Sequence, residues 1–352
     1  MNKRSVLICI IGLILVLSNV GILLGQNITS RTTCTVKPER LRSGDKIGLV
    51  ASASFITEKD LQTSVEKIRQ LGFIPVYSDK IHGKYGYFSG TDEQRAADFN
   101  DMVKNPDIKG IIFAGGGYGC TRILDLVDYN MIKKNPKVIM GFSDNTALIN
   151  AINKKTGLVT FHGPIARTIH KGYNQEHFEN IIVSPIDKYV IESSAEDLLK
   201  SANNKTLDRY TITAGKAQGE LVGGNLTLIC SMIGTPYQID MKGKIVMIED
   251  INEEPYRIDR MLTQLIASGE LTKAAGIVFG ICRGCDKSDK TKTLNSFTLR
   301  QVIEDRIKPL NIPAVYGLSF GHNINNFTFP IGLKARFDAN NMTIQLFEKA
   351  VE

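Results

Sequence analysis

Histidine is scarce in this 352-residue chain, five in all, and none falls in a His-Glu-x-x-His pattern or beside a cluster of acids. That removes the usual signatures of a zinc peptidase. Cysteine is scarce too: of six, Cys9 lies in an N-terminal apolar run and the other five are irregularly spaced, unlike a small disulfide scaffold. Cys282 and Cys285 form one Cys-x-x-Cys pair. With no second pair to complete a zinc site, a local disulfide, plain packing or a redox role remain for it. The net charge of +7 is spread without basic runs, so no nucleic-acid partner is expected. Internal repeats and low-complexity tracts are missing as well.

Long apolar runs are limited to one. Met1-Asn2-Lys3-Arg4-Ser5 precedes an apolar stretch from Val6 to Leu24, and Leu23-Leu24-Gly25-Gln26 offers a small-residue cleavage site. Residues 1–26 therefore read as a signal peptide or N-terminal anchor that engages the membrane or the export machinery. The remainder is expected outside the cytoplasm, periplasmic or membrane-anchored. No later stretch approaches the roughly 18 apolar residues of a spanning helix.

From Lys46 onward, short apolar runs alternate with helical patterns, which predicts a parallel sheet with crossover helices. Strands are expected at Lys46–Ala51, Ile74–Tyr77, Ile111–Ala114, Val138–Phe142 and Leu158–Phe161, and helices at Glu58–Gln70, Asp92–Lys104 and Asn145–Lys155. The stretch 167–216 is polar, weakly periodic and rich in Asn, Ser and Lys, and reads as an interdomain linker. A second block over 217–352 has strands at Lys244–Ile248 and Gly276–Ile281, helices at Arg257–Gly269 and Thr298–Arg306, and a terminal hairpin from Phe327–Phe337 and Met342–Phe347. The first block, 37–166, and this second one make two α/β domains.

The sharpest chemical feature is Val138-Ile139-Met140-Gly141-Phe142-Ser143-Asp144-Asn145, a buried strand running through Gly-x-Ser into a helical pattern. This is a nucleophile-elbow context for Ser143, although the second glycine of Gly-x-Ser-x-Gly is missing. The alternative is that Ser143 and Asp144 only cap the following helix. A serine hydroxyl needs a base, itself oriented by a carboxylate. His82, His170 and His177 lie in polar loops and read as surface residues; His162 and His322 both follow apolar strands, where open sheets carry functional loops, and both stay candidates. Glu249 ends the apolar strand Lys244–Ile248 and is the best orienting carboxylate. Gly115-Gly116-Gly117-Tyr118-Gly119 also follows a buried strand. It lacks the endings of a phosphate loop and fits an oxyanion- or carboxylate-binding loop, or simply a tight turn. Cys120, beside it, is a rival thiol nucleophile with no evident activating neighbour.

Taken together, Gly44-Asp45-Lys46-Ile47-Gly48-Leu49-Val50, Gly116-Gly117-Tyr118-Gly119, Gly141-Phe142-Ser143-Asp144, His162-Gly163-Pro164, Gly223-Gly224-Asn225-Leu226, Ile248-Glu249-Asp250 and Phe320-Gly321-His322 resemble the LD-carboxypeptidase family, which includes the microcin-immunity peptidases. The resemblance spans about Lys37 to Glu348. It implies an N-terminal parallel-sheet domain bearing the nucleophile, a C-terminal α/β domain with a mixed sheet, and an active site between them. It implies Ser143 as nucleophile, His322 as base and Glu249 as its orienting group, with the amides of Asp144 and Gly117 as the oxyanion hole. Gly116, Tyr118, His162 and Asn225 become substrate-side residues. The activity implied is metal-free and cofactor-free hydrolysis of the L,D-bond before the terminal D-alanine of murein tetrapeptides. A murein peptide is the expected partner and a homodimer a compatible assembly. The chain departs from the family where Gly115 replaces a frequent arginine, and where Ala51-Ser52-Ala53-Ser54 replaces the usual Pro-Ser. Rival functions are cleavage of peptidyl or aminoacyl nucleotides by the same triad, or murein-peptide binding without catalysis.

Overall fold

Apolar runs flanked by capped amphipathic helices set the first sheet. In the computed structural model, which describes residues 35–201, 207–286 and 296–352, these elements are β1 (Lys46–Val50), α1 (Glu58–Gln70), β2 (Ile74–Val76), α2 (Asp92–Lys104), β3 (Ile108–Phe113), α3 (Tyr129–Lys134), β4 (Val138–Gly141), α4 (Thr146–Thr156) and β5 (Thr160–His162). Helices α1 and α2 both begin with reciprocal capping boxes, Thr57 with Asp60 and Thr91 with Gln94, which satisfy amide hydrogens that have no partner inside the helix. Leu61, Val65 and Ile68 form the buried face of α1, at the spacing of a helix packed on a sheet. Strands β1 and β4 are buried on almost every residue, as a sheet covered on both faces requires.

The chain continues through α5 (Tyr173–Phe178), β6 (Val190–Ile191), α6 (Ala195–Ser201), β7 (Tyr210–Thr213), β8 (Lys216–Asn225), α7 (Leu226–Ser231), β9 (Ile245–Glu249), α8 (Pro255–Ala267), β10 (Gly276–Gly280), α9 (Leu299–Ile307), β11 (Ala314–Leu318), β12 (Phe329–Ile331), β13 (Lys334–Asp338) and β14 (Thr343–Leu346). The first sheet has the order β12-β5-β4-β3-β1-β2 and the second β6-β14-β13-β8-β9-β10-β11-β7. In the first, only β12 runs antiparallel to its neighbour. In the second, β8 to β11 are mutually parallel and the outer strands antiparallel. The fold is thus α/β with one largely parallel and one mixed sheet, and both belong to one compact unit, Thr35–Glu352.

Two expectations about organisation are corrected. The stretch 167–216 is not a bare linker: it carries α5, α6 and the two edge strands β6 and β7 of the second sheet. Edge strands this short, with exposed or half-exposed positions, leave little apolar periodicity to read. The expected hairpin also divides. β13 and β14 pair as foreseen, but β12 crosses to the first sheet and pairs with β5, placing Phe329 opposite His162. The leader expected over residues 1–26 lies outside the described residues.

Contacts between the halves are specific. Asn150 on α4 donates to the Gly223 carbonyl at 2.9 Å and accepts from the Gly223 amide at 3.1 Å. The Asn225 amide donates to Thr146 Oγ1 at 3.0 Å. Gly224 adopts φ +138°, and a Cβ there would meet Thr146 Oγ1 at 2.6 Å. A glycine is needed for β8 to approach the helix that follows Ser143 so closely.

Candidate active site

Ser143 lies at the turn from β4 to α4 with φ 63°, a left-handed conformation that costs a non-glycine residue on the order of 1–3 kcal/mol and is held by surrounding structure. Gly141 permits the turn, since a Cβ there would fall 2.6 Å from the Phe113 ring. The two residues after the serine tie it to the glycine loop. Asp144 Oδ2 accepts from the Cys120 amide at 2.7 Å, and Asn145 Nδ2 donates to the carbonyls of Gly115 at 2.9 Å and Phe142 at 3.0 Å. Burial raises the Asp144 carboxyl above the usual range, with the Cys120 amide opposing that rise.

The loop in turn lies against the serine: a Cβ on Gly116 would sit 3.3 Å from Ser143 Oγ. The Gly116 carbonyl accepts from the Ser54 amide at 3.2 Å. In a trans peptide the next amide points the opposite way, so the Gly117 N–H is turned away from Ser54. Cys120 is fully buried with its sulfur 3.7 Å from Asn145 Oδ1, and burial, followed by the Asp144 charge, pushes its thiol well above the ordinary value. It offers no thiolate to the cleft.

The second half supplies the other two groups. Glu249 ends β9, fully buried, in register with Asn225 at the end of β8. His322 follows β11 by a short loop. Its Nδ1 is 2.7 Å from Glu249 Oε2, its amide donates to the same oxygen at 3.2 Å, and its Nε2 is 3.0 Å from Ser143 Oγ. Gly321 makes this approach feasible: its φ is +91°, and a Cβ would lie 2.4 Å from Glu249 Oε2. The His322 ring packs edge-on against Phe142, 5.0 Å between centroids. Burial disfavours charge on both groups, but the Glu249 charge and hydrogen bond outweigh it at His322, raising the imidazole above its ordinary value. The same partnership lowers Glu249 against its burial. A carboxylate on Nδ1–H leaves the Nε2 lone pair facing the serine hydroxyl.

A cleft of about 300 Å³ opens over these groups, lined by Ser143, His322, Gly115, Gly116, Gly117 and Phe142, with Phe55, Ile56, Asp60, Ile165 and Arg167 completing it. Three residues expected beside substrate sit elsewhere. His162 is fully buried and stacked on Phe329 at 4.7 Å, neither ring nitrogen has a partner among the described residues, and burial brings its pKa down to about 4. Asn225 is buried, caps α7 through the Leu228 amide at 3.2 Å and donates to Asp250 at 3.1 Å. Tyr118 is half exposed and packs on Phe88 and Tyr87 instead of lining the cleft. Among the other histidines, His82 and His170 are exposed as expected. His177 is instead buried, with its Nδ1 3.1 Å from the Tyr189 hydroxyl. Cys282 and Cys285 are buried free thiols.

Asp60 and Arg167, which also line the cleft, belong to none of the motifs in the sequence. Arg167 falls three residues after Pro164, in the short 3-10 turn Ala166–Thr168 that follows the C-terminal end of a parallel strand. That position is where ligand sites of open sheets gather and was the available signal.

Residues 47–163 match the LD-carboxypeptidase N-terminal domain and residues 218–337 the LD-carboxypeptidase C-terminal domain. A probable murein peptide carboxypeptidase of Bacillus subtilis is 38% identical over 307 residues, covering 87% of this chain and 93% of that one. The muramoyltetrapeptide carboxypeptidase of Oxalobacter formigenes superposes with a TM-score of 0.71 at 30% identity, covering 86% of this chain and 97% of that one. The wild-type apo microcin C7 self-immunity protein MccF superposes with a TM-score of 0.79 at 26% identity, covering 90% and 100%. With both domains matched in order and Ser143, Glu249 and His322 drawn together across them, the chain belongs to the LD-carboxypeptidase family.

Proposed function

We propose that this protein is a serine LD-carboxypeptidase that hydrolyses the bond before the terminal D-alanine of murein tetrapeptides, acting outside the cytoplasm behind its basic and apolar leader. The observation that carries the proposal is the hydrogen-bonded chain Ser143–His322–Glu249 at the floor of an open cleft. The 38% identity to a murein peptide carboxypeptidase supports the substrate class.

In the proposed reaction, His322 Nε2 takes the Ser143 proton as Oγ attacks the carbonyl before D-alanine, and the resulting imidazolium is stabilised by Glu249. The amides of Asp144 and Gly117 donate to the tetrahedral oxyanion, held in place beforehand by the Asp144–Cys120 and Ser54–Gly116 hydrogen bonds. His322 then gives its proton to the leaving amine, releasing D-alanine. Water, deprotonated by His322, attacks the acyl carbonyl; the bond to Ser143 Oγ breaks, the shortened peptide leaves as its acid, and His322 returns the proton to Ser143.

The test is D-alanine release from a murein tetrapeptide by the purified protein, with and without a chelator, beside Ser143→Ala. Release that survives the chelator and falls by roughly 10⁴-fold or more in the variant is expected. Absence of release from the intact protein would overturn the substrate, and an unchanged Ser143→Ala would overturn the mechanism.

A further inference from the structure

We propose that Arg167 is the residue that recognises the free C-terminal carboxylate of the substrate; the inference rests on the carboxypeptidase function above and adds the basis of its end-specificity. An enzyme that removes only a final residue must tell a terminal carboxylate from a continuing chain. A fixed cation beside the reacting groups does so, because a charge-assisted bond forms with the acid and is lost with an amide.

Arg167 is the single arginine or lysine among the described residues lining the cleft that holds Ser143. His322, the other basic group there, is engaged with Ser143 and Glu249. The guanidinium is held in place from two sides. Nη1 donates to the Ala114 carbonyl at 2.6 Å, at the root of the glycine loop that lies against Ser143, and Nε stands 3.4 Å from Asp60 Oδ1. Asp60 is itself fixed without Arg167, because its Oδ2 accepts from the Thr57 amide at 3.2 Å and the Thr57 hydroxyl at 2.7 Å in the capping box of α1. Nη2 has no hydrogen bond to a described residue, and the side chain keeps 31% of its surface open. A guanidinium oriented by a carbonyl and a carboxylate, with Nη2 unbonded to any described residue in a side chain that lines the cleft, can donate to an incoming anion. Gly115 and Ile56 line the cleft with Arg167 and are packed so closely that a Cβ on Gly115 would lie 2.7 Å from Ile56 Cγ2.

The experiment compares binding of a murein tetrapeptide and its C-terminal carboxamide by calorimetry, in the Ser143→Ala background so that neither is turned over. Ser143→Ala should bind the acid roughly tenfold to a hundredfold more tightly than the amide. Adding Arg167→Ala should abolish the difference between acid and amide, while Arg167→Lys, keeping the charge but not the fork, should retain part of the preference. A full acid preference in the Arg167→Ala double variant would overturn the inference and leave the carboxypeptidase function standing. Failure of Ser143→Ala to bind either form, together with no D-alanine release by the unmodified protein, would overturn that function and the inference with it.

Discussion

The wall of the cleft that carries the serine and the wall that carries its base are built differently. The turn at Ser143 is set mainly by two short segments, Gly115 to Cys120 and Gly141 to Thr146, bound to each other by the side chains of Asp144 and Asn145. The opposite wall joins Glu249 to His322 across 73 residues and His322 to Ser143 across 179. Neighbouring segments of one sheet therefore do most to place the nucleophile. The base depends on the register of β8, β9 and β11 and on the bonds that clasp β8 to α4. Damage to the first wall should be felt at the serine alone, whereas damage to the second should change both ionisation and assembly.

Glu249→Gln breaks the second wall at its centre and is expected to have the larger effect. The amide can present the wrong tautomer of His322 to Ser143, so kcat should fall by roughly 10² to 10⁴-fold. The pH profile supplies the sign. A base must be neutral to accept the serine proton, so activity is lost as pH falls through the His322 pKa. In the unmodified protein that limb should sit above the ordinary imidazole value of 6.5, and removing the Glu249 charge should move it downward. A limb that stays in place would show that Glu249 does not set the ionisation of His322.

Asn150→Ala loosens the clasp between the walls without touching the cleft. It strips both the amide and the carbonyl of buried Gly223 of their partner, and should destabilise the protein by roughly 2–4 kcal/mol in urea unfolding. A loss under about 0.5 kcal/mol would show that the Asn150 hydrogen bonds do not hold the halves together.

The same contrast explains what could be read from the sequence. The elements around the serine were legible almost residue by residue: Glu58–Gln70 and Asp92–Lys104 form helices over the expected bounds, since caps and periodicity are local signals. Ser143 stood out because strand, Gly-x-Ser and helix are contiguous. Choosing His322 over His162 needed the family resemblance; both histidines follow strands, and only the tertiary structure shows that one ring meets Ser143 while the other is enclosed by Phe329 and Phe320. Arg167 was hidden because it opens a polar stretch whose strands, β6 and β7, lie at sheet edges and carry no strong alternation. The crossing of β12 to the first sheet was equally hidden, as its three buried residues look the same whichever sheet they join.

The most direct test of the account is a double-mutant cycle on D-alanine release, comparing Ser143→Ala, His322→Ala and the double variant. Groups that act as one unit across the two walls should give non-additive losses, with the double variant about as slow as either single one. Losses that multiply would show that Ser143 and His322 act independently, and the assembled triad would not be the catalytic machinery.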